Sequence, residues 1–321
     1  MFNKIQINNT IDKTFLALGT INNVKIFNCE NDNIVEEVMS RVAEIDDRMS
    51  AFKAESDISK ISMNAGKGPQ KVHEDTFRLI CKAVEFSILS DGAFDITIRP
   101  LVKLWGINKK GDFVPSDSEI EKLLTMVHYQ DILLDQESCS VALKRAGQAL
   151  DLGGIAKGFA ADEVKRILLK NGVQSALINL GGNIVTIGKR PDDQPWQIGI
   201  QNPLAPTGQF LGILSATNKT IVTSGTNERF FIKDGIRYHH ILDPRTGKPA
   251  QSSLLSVTAV CTCSTDADAL TTALFILGPK KGLPLLSKIG AEAIFISDDL
   301  TVTASQGLTT KFRILDEYKK V

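Results

Sequence analysis

Two stretches of this chain turn back on themselves, and they limit its architecture more than any other feature. SALINLGGNIVTIG reads as two short strands about a Gly-Gly-Asn turn, and RFFIKDGIRYHHIL as a hairpin about Asp234-Gly235. LLSVTAVC and AEAIFIS alternate or run apolar as strands do. Helical patterns come in groups between them, so the strict β-α-β-α alternation of a doubly wound sheet is absent. The expected class is α+β, with mixed or antiparallel sheets packed against helices. No long linker, low-complexity tract or solenoid repeat divides the sequence. One compact, two-lobed unit over residues 1–321 is expected, with 1–12 and 316–321 as peripheral ends.

The helices follow from spacing. NIVEEVMSRVAEIDDRM, residues 33–49, sets Ile34, Val38, Val42 (or Met39) and Ile45 on one face, with charge opposite. Further helices are expected over about Asp75–Leu89, Asp117–Met126 and Ile155–Lys170, the last stopped at Asn171-Gly172. Another is expected from Ser264 to Gly278. KKGLPLLSKIG is expected to be helical only in part because of Pro284.

Composition narrows the function. Lys plus Arg and Asp plus Glu number 37 each, so no global field favours nucleic acid or an anionic membrane, and any anion must be bound locally. The five cysteines, Cys29, Cys81, Cys139, Cys261 and Cys263, lack paired zinc spacing and suit buried thiols in a reducing compartment. No stretch reaches membrane-spanning length, and MFNKIQINNTIDKTF lacks the features of a secretory signal. The expectation is a cytoplasmic protein without membrane insertion, or an extracytoplasmic lipoprotein if the N-terminus has been trimmed.

The candidate chemistry begins at DLGGIAKG. A glycine pair where a strand passes into a helix lets a ligand approach the backbone, and the new helix's N–H groups favour phosphate. Lys157 would add a point charge. Neither G-x-G-x-x-G nor G-x-x-x-x-G-K-[ST] is present, so the dinucleotide and Walker fingerprints both fail. In STDADALTTALF, Asp268 and Thr272 are four apart and share a helical face, a donor pair suited to a hard cation such as Mg²⁺. Thr265 and Asp268 also match a capping box, which would explain Asp268 without any metal. In YHHILDPRTGKPA, His239 and His240 point to opposite sides of a strand, and the turn after Asp243 could return that carboxylate to the same face as one of them. DGAFDITIRPLVKLWG and TSGTNERFF look over-specified for plain loops. Ser224 in TSGT lacks a nucleophile elbow. His73 and His128 carry no evident role.

In this order, ALGT, SAFKAESDISKIS, DGAFDIT, DLGGIAKGFAAD, NLGGNI, TSGTNERFF, HHILDPRTGKP and ADALTTALFILG resemble the ApbE-like FAD:protein FMN transferases over nearly the whole chain. The resemblance implies a one-unit α+β fold of the ApbE type, with FAD in a cleft and Mg²⁺ at its pyrophosphate. FMN would pass to a Ser or Thr hydroxyl of an acceptor flavoprotein carrying a flavinylation motif, and AMP would leave. The metal would be held by the main-chain oxygen of Gly154 and the side chains of Asp268 and Thr272. FAD contacts would fall on Leu18, Phe52, Ala93, Phe94, Asp95, Asp151, Lys157 and Ile241.

His240 would stand near the transferred phosphoryl group as the base, with Asp243 in reserve. The family usually has Met-Gly-Thr at 18–20 and often Tyr at 52, where this chain has Leu-Gly-Thr and Phe52. The acceptor motif Asp-Gly-x-Ser-Gly-Ala-Thr is not found within the chain, so the acceptor would be another protein. Mg²⁺-dependent hydrolysis of FAD to FMN and AMP is the alternative within enzymes. A non-catalytic FAD carrier, or more weakly a flavin oxidoreductase, is the alternative outside that chemistry.

Overall fold

The computed structural model describes residues 9–107 and 111–318. The outermost parts of the expected peripheral ends, residues 1–8 and 319–321, lie outside the described residues. Eight strands form one sheet whose spatial order follows the chain: Thr10–Ala17, Thr20–Phe27, Ala176–Leu180, Asn183–Ile187, Thr220–Gly225, Leu254–Cys261, Glu292–Ser297 and Val302–Ala304. Every neighbouring pair is antiparallel. The α+β expectation holds.

Period-two alternation gives this sheet two different faces. Val24, Ile26, Ile178, Val185, Val222, Val257, Ala259 and Phe295 join the main core, together with the apolar faces of helices Asn33–Met49, Ala156–Lys170 and Ser264–Ile289. Their strand neighbours Ile221, Val260, Ile294 and Ile296 point the other way. They pack on a three-stranded sheet built from Trp196–Gln201, Phe210–Ala216 and Phe312–Ile314. A third, smaller core joins Leu101, Trp105 and Ile120 to Phe231 and Leu242. It seats helices Arg99–Trp105 and Asp117–Leu124 against the hairpin Phe230–Lys233/Ile236–His239.

Local expectations are met closely at Asn33–Met49, at Glu74–Leu89 and in both hairpins. In the first hairpin the turn residues Gly181 and Gly182 both take positive φ, +56° and +93°, the backbone shape that matches strand twist. The break at Gly278 is also found, at φ 72° and ψ 171°, with Pro279 opening a second helical piece. The expected interruption at Pro284 is not. That piece runs through it to Ile289, because a proline little more than one turn from a helix start forgoes only one backbone hydrogen bond. Helix Asp117–Leu124 ends two residues before the expected Met126.

The turn between the first two strands is Leu18-Gly19, at φ 56° and 68°. The left-handed region costs a leucine about 1 kcal/mol or more. The Asn22 side-chain amide braces the turn, donating to the Ala17 carbonyl at 3.0 Å and the Thr20 carbonyl at 3.2 Å. Leu18 thereby presents its side chain to the edge of the main core. The five cysteines are unpaired, and only Cys261 is fully buried. Among the described residues, no helix is long and apolar enough to cross a membrane.

Candidate active site

The site forms where helix Ala156–Lys170 crosses the start of helix Ser264–Ile289. A Cβ built on Gly158 would lie 2.2 Å from the Ser264 carbonyl oxygen and 2.8 Å from the Asp268 Cβ, so the two helices meet backbone to backbone. That approach lets the Gly158 N–H donate to Asp268 Oδ2 at 2.8 Å, inside a buried contact. The other oxygen, Oδ1, lies 3.5 Å from the Lys157 ammonium, which also donates to the Gly153 carbonyl at 3.2 Å. One turn further along, a Cβ on Gly154 would stand 3.4 Å from Thr272 Oγ1 and 3.2 Å from the Phe94 ring. Gly154, Lys157, Asp268, Thr272 and Phe94 are thus brought together.

The capping-box reading of Asp268 is not what the structure shows. The helix start is capped from the neighbouring helix by Asp162, which accepts from Ser264 N, Thr265 N and the Thr265 hydroxyl at 2.7–2.8 Å. Asp268 is therefore left to face Lys157 and Gly158. A second expectation is also corrected. The N–H groups opening helix Ala156–Lys170 are not simply open to phosphate, since Ala156 donates to the Leu152 carbonyl and Gly158 to Asp268. Lys157 carries the positive charge there instead.

The remaining expected contacts arrive from other elements. Asp151 accepts from Arg99 at 2.9 Å and from Gly153 N–H at 2.9 Å. Arg99 also donates to the Ala51 carbonyl at 3.0 Å, and its guanidinium lies over the exposed Phe52 ring, 4.2 Å from the centroid. Arg99 thus ties two expected contacts together, although its sequence context gave it no role. Asp95 is buried, and its carboxylate accepts from Thr97 N–H, the Thr97 hydroxyl and Tyr129 N–H. Burial pushes its pKa up despite those bonds. Ala93 and Ile241 have their side chains in the main core.

His239 and His240 do separate as expected. The His239 ring packs edge-on against Phe275 and its Nε2 lies 3.0 Å from the Ala250 carbonyl, beside a pocket of about 250 Å³ that His239 and Trp105 help to line. His240 is bonded to the Arg229 carbonyl through its backbone N–H at 3.1 Å, with Nδ1 at 3.3 Å. Desolvation, with the charges of Arg229 and Lys157 nearby, pushes its pKa down to about 4, so the ring is neutral at pH 7. Glu228, in the over-specified TSGTNERFF segment, is exposed on the side of the site near Lys157. Crowding by protein pushes its carboxyl up, against the pull of Lys157 and Arg229 and with Asp268 adding to the rise.

Asp243 is differently employed. Arg245 grips both its oxygens, at 2.8 and 2.7 Å, and its backbone closes the Asp243–Gly247 turn. Asp243→Asn should therefore lower the melting temperature by a few degrees while leaving the shape of any activity–pH profile intact. A lost pH limb with an unchanged melting temperature would contradict this.

Residues 18–295 match the family model described as the ApbE family. The chain belongs to the ApbE family. Curated ApbE relatives include a protein named FAD:protein FMN transferase from Klebsiella pneumoniae, 39% identical over 287 residues and covering 89% of each chain. Another of that name, from Treponema pallidum, is 35% identical over 319 residues, covering 94% of this chain and 88% of the relative. Among solved structures, the ApbE protein of Thermotoga maritima superposes with a TM-score of 0.86 at 32% identity, covering 93% of this chain and 98% of its own. The flavin transferase ApbE of Vibrio cholerae gives 0.85 at 26% identity, covering 95% and 99%. The α+β architecture described above is thus the ApbE fold.

Proposed function

We propose that this chain is a FAD:protein FMN transferase. The acceptor's Ser or Thr oxygen forms a phosphoester bond to the FMN phosphorus, the bond to the AMP phosphate breaks, and AMP leaves. The observation that carries this reading is the convergence of Gly154, in the turn that opens one helix, with Asp268 and Thr272 of the other, beside Lys157.

Those donors fit a hard divalent cation. Asp268 Oδ2 is held by Gly158, while Oδ1 already has a cationic neighbour in Lys157. Among the described residues no group of three or more His, Cys, Asp or Glu is arranged to hold a metal. One carboxylate with a carbonyl and a hydroxyl is instead the sparse donor set of a site that borrows oxygens from a substrate's phosphates. When bound there, Mg²⁺ supplies charge neutralisation at the pyrophosphate. The chain's own part is positioning. Lys157 contributes charge, the Phe52–Arg99–Asp151 series orders one wall, and His240 accepts the proton of the attacking hydroxyl.

The test combines the protein with FAD, Mg²⁺ and a purified acceptor bearing the Asp-Gly-x-Ser-Gly-Ala-Thr motif. The acceptor should gain one FMN-sized mass, with AMP released and EDTA blocking both. AMP without an adduct would point to hydrolysis, and FAD bound but intact to a carrier.

The role of His240 carries its own signature. A histidine with a lowered pKa stays neutral until pH falls to about 4, so the acid limb of kcat/KM should lie near 4 rather than near 6.5. An anionic substrate beside the ring favours its protonated form, so the kcat limb should sit at higher pH. His240→Gln should remove both limbs. Their survival in that variant would assign the proton to another group.

A further inference from the structure

The two site helices are joined by a ladder with a repeat of four residues on each side. Asp162 meets Ser264 and Thr265, Gly158 meets Asp268, and Gly154 meets Thr272. Positions 162 and 158 descend one helix and 154 continues into the turn before it, as 264, 268 and 272 ascend the other, the order of antiparallel elements advancing a turn per rung. The last two rungs are the proposed cation donors. The first contains no metal donor, and it is the most heavily bonded. Asp162 accepts from two backbone N–H groups and the Thr265 hydroxyl, and the Cys263 thiol donates to the same carboxylate at 3.3 Å.

A helix start leaves its first N–H groups unpaired, and a carboxylate placed there both bonds them and opposes the helix dipole. Here that carboxylate belongs to the partner helix and not to a local N-cap. The N-cap residue, Cys263, makes no side-chain cap bond. The cap therefore fixes where one helix begins relative to the other, which a local cap cannot do. We propose that Asp162 is a positioning residue, setting the register that holds Asp268 opposite Gly158 and Thr272 opposite Gly154. This rests on the transferase reading for its consequence, though the register itself does not.

The glycine at the middle rung makes the register exacting. With Gly158 against the Ser264 backbone, the helices have no side-chain layer between them to absorb a slip. Loss of the first rung then has to appear at the second and third.

The test uses the full chain with Asp162→Asn, Asp162→Ala and, as a control, Ile167→Val, a buried core change on the same helix. Mg²⁺ affinity is read in the presence of FAD by calorimetry, and amide exchange at Gly158 and over 264–272 is read in the metal-free protein. Outer residues that orient metal ligands typically change affinity by about 10- to 100-fold. The expected result is a Mg²⁺ affinity at least about tenfold weaker in Asp162→Ala, with Asp162→Asn between it and the parent. Exchange at Gly158 should be faster in both. Ile167→Val should lower the melting temperature and leave the affinity unchanged.

If Asp162→Ala does not fold, Asp162→Asn carries the comparison, since its carbonyl oxygen can still accept one of the bonds. Parent-like affinity and Gly158 exchange in Asp162→Asn would overturn the inference. So would an equal loss of affinity in Ile167→Val, which would reduce Asp162 to general stability. If the parent forms no flavin adduct but these differences persist, the transferase reading falls and the positioning role stands.

Discussion

Asp268→Ala is expected to abolish flavin transfer, lowering the rate by on the order of 10³-fold, equivalent to about 4 kcal/mol of barrier. Two effects combine in that variant and can be separated. The first is loss of the one carboxylate in the proposed cation set. The second is structural, because Asp268 is only 3% exposed and its Oδ2 accepts from Gly158, so alanine strands a buried N–H at a cost of roughly 1–3 kcal/mol. Asp268→Asn divides them. It keeps the volume and an acceptor for Gly158, so it should melt near the parent, yet it removes the charge and should be almost as inactive as the alanine variant. Acceptor mass and AMP release measure the first effect, and thermal melting the second. An Asp268→Asn protein with more than a tenth of parental activity would sink the assignment of this carboxylate to the cation.

Gly158→Ala should be the most damaging small substitution at the helix crossing. Its methyl group would meet the Ser264 carbonyl at 2.2 Å and the carbonyl carbon at 2.7 Å, and these are backbone atoms that cannot rotate aside. Overpacking of this kind costs about 3 kcal/mol when a core can shift. Here the shift pulls Gly158 N–H from Asp268 as the helices part. A fall in melting temperature of roughly 6 °C or more is expected, together with loss of transfer in whatever protein remains folded. Parental melting and activity would show that the helices have more freedom than their contact implies.

What could be read in advance divides along a physical line. Elements set by neighbours in the sequence were legible: the Asn33–Met49 helix from its apolar spacing, the Gly181-Gly182 and Asp234-Gly235 hairpins from their turn residues, and the break at Gly278. The strands Trp196–Gln201 and Phe210–Ala216 were not, because their apolar faces acquire meaning only against the back of the main sheet. The same division runs through the site. Asp268 and Thr272 can be paired by their four-residue spacing, but the local pattern also offered a capping box with Thr265. What decides against it is Asp162, a residue on another helix, whose bonds to Ser264 and Thr265 release Asp268. Arg99 was missed for a like reason. Its partners Phe52 and Asp151 are distant in sequence. Asp243, expected as the reserve base, is bonded through both oxygens by Arg245 two residues away, a local pairing that its turn makes possible.

The order of the main sheet has a consequence for how such a chain tolerates change. Thr20–Phe27 and Ala176–Leu180 are direct neighbours, and Phe27 N–H bonds the Ser175 carbonyl at 3.0 Å, so residues 28–175 leave the sheet and re-enter it at adjoining points. Closing such an excursion costs entropy that grows only with the logarithm of its length, about 0.6 kcal/mol per doubling. Changes of length confined to the turns within it therefore cost the flanking strands little, whereas helices Asn33–Met49 and Ala156–Lys170, which pack the main core, have to stay. The segment that carries Arg99 and Phe52 can thus vary in the length of its turns without altering the eight-stranded platform.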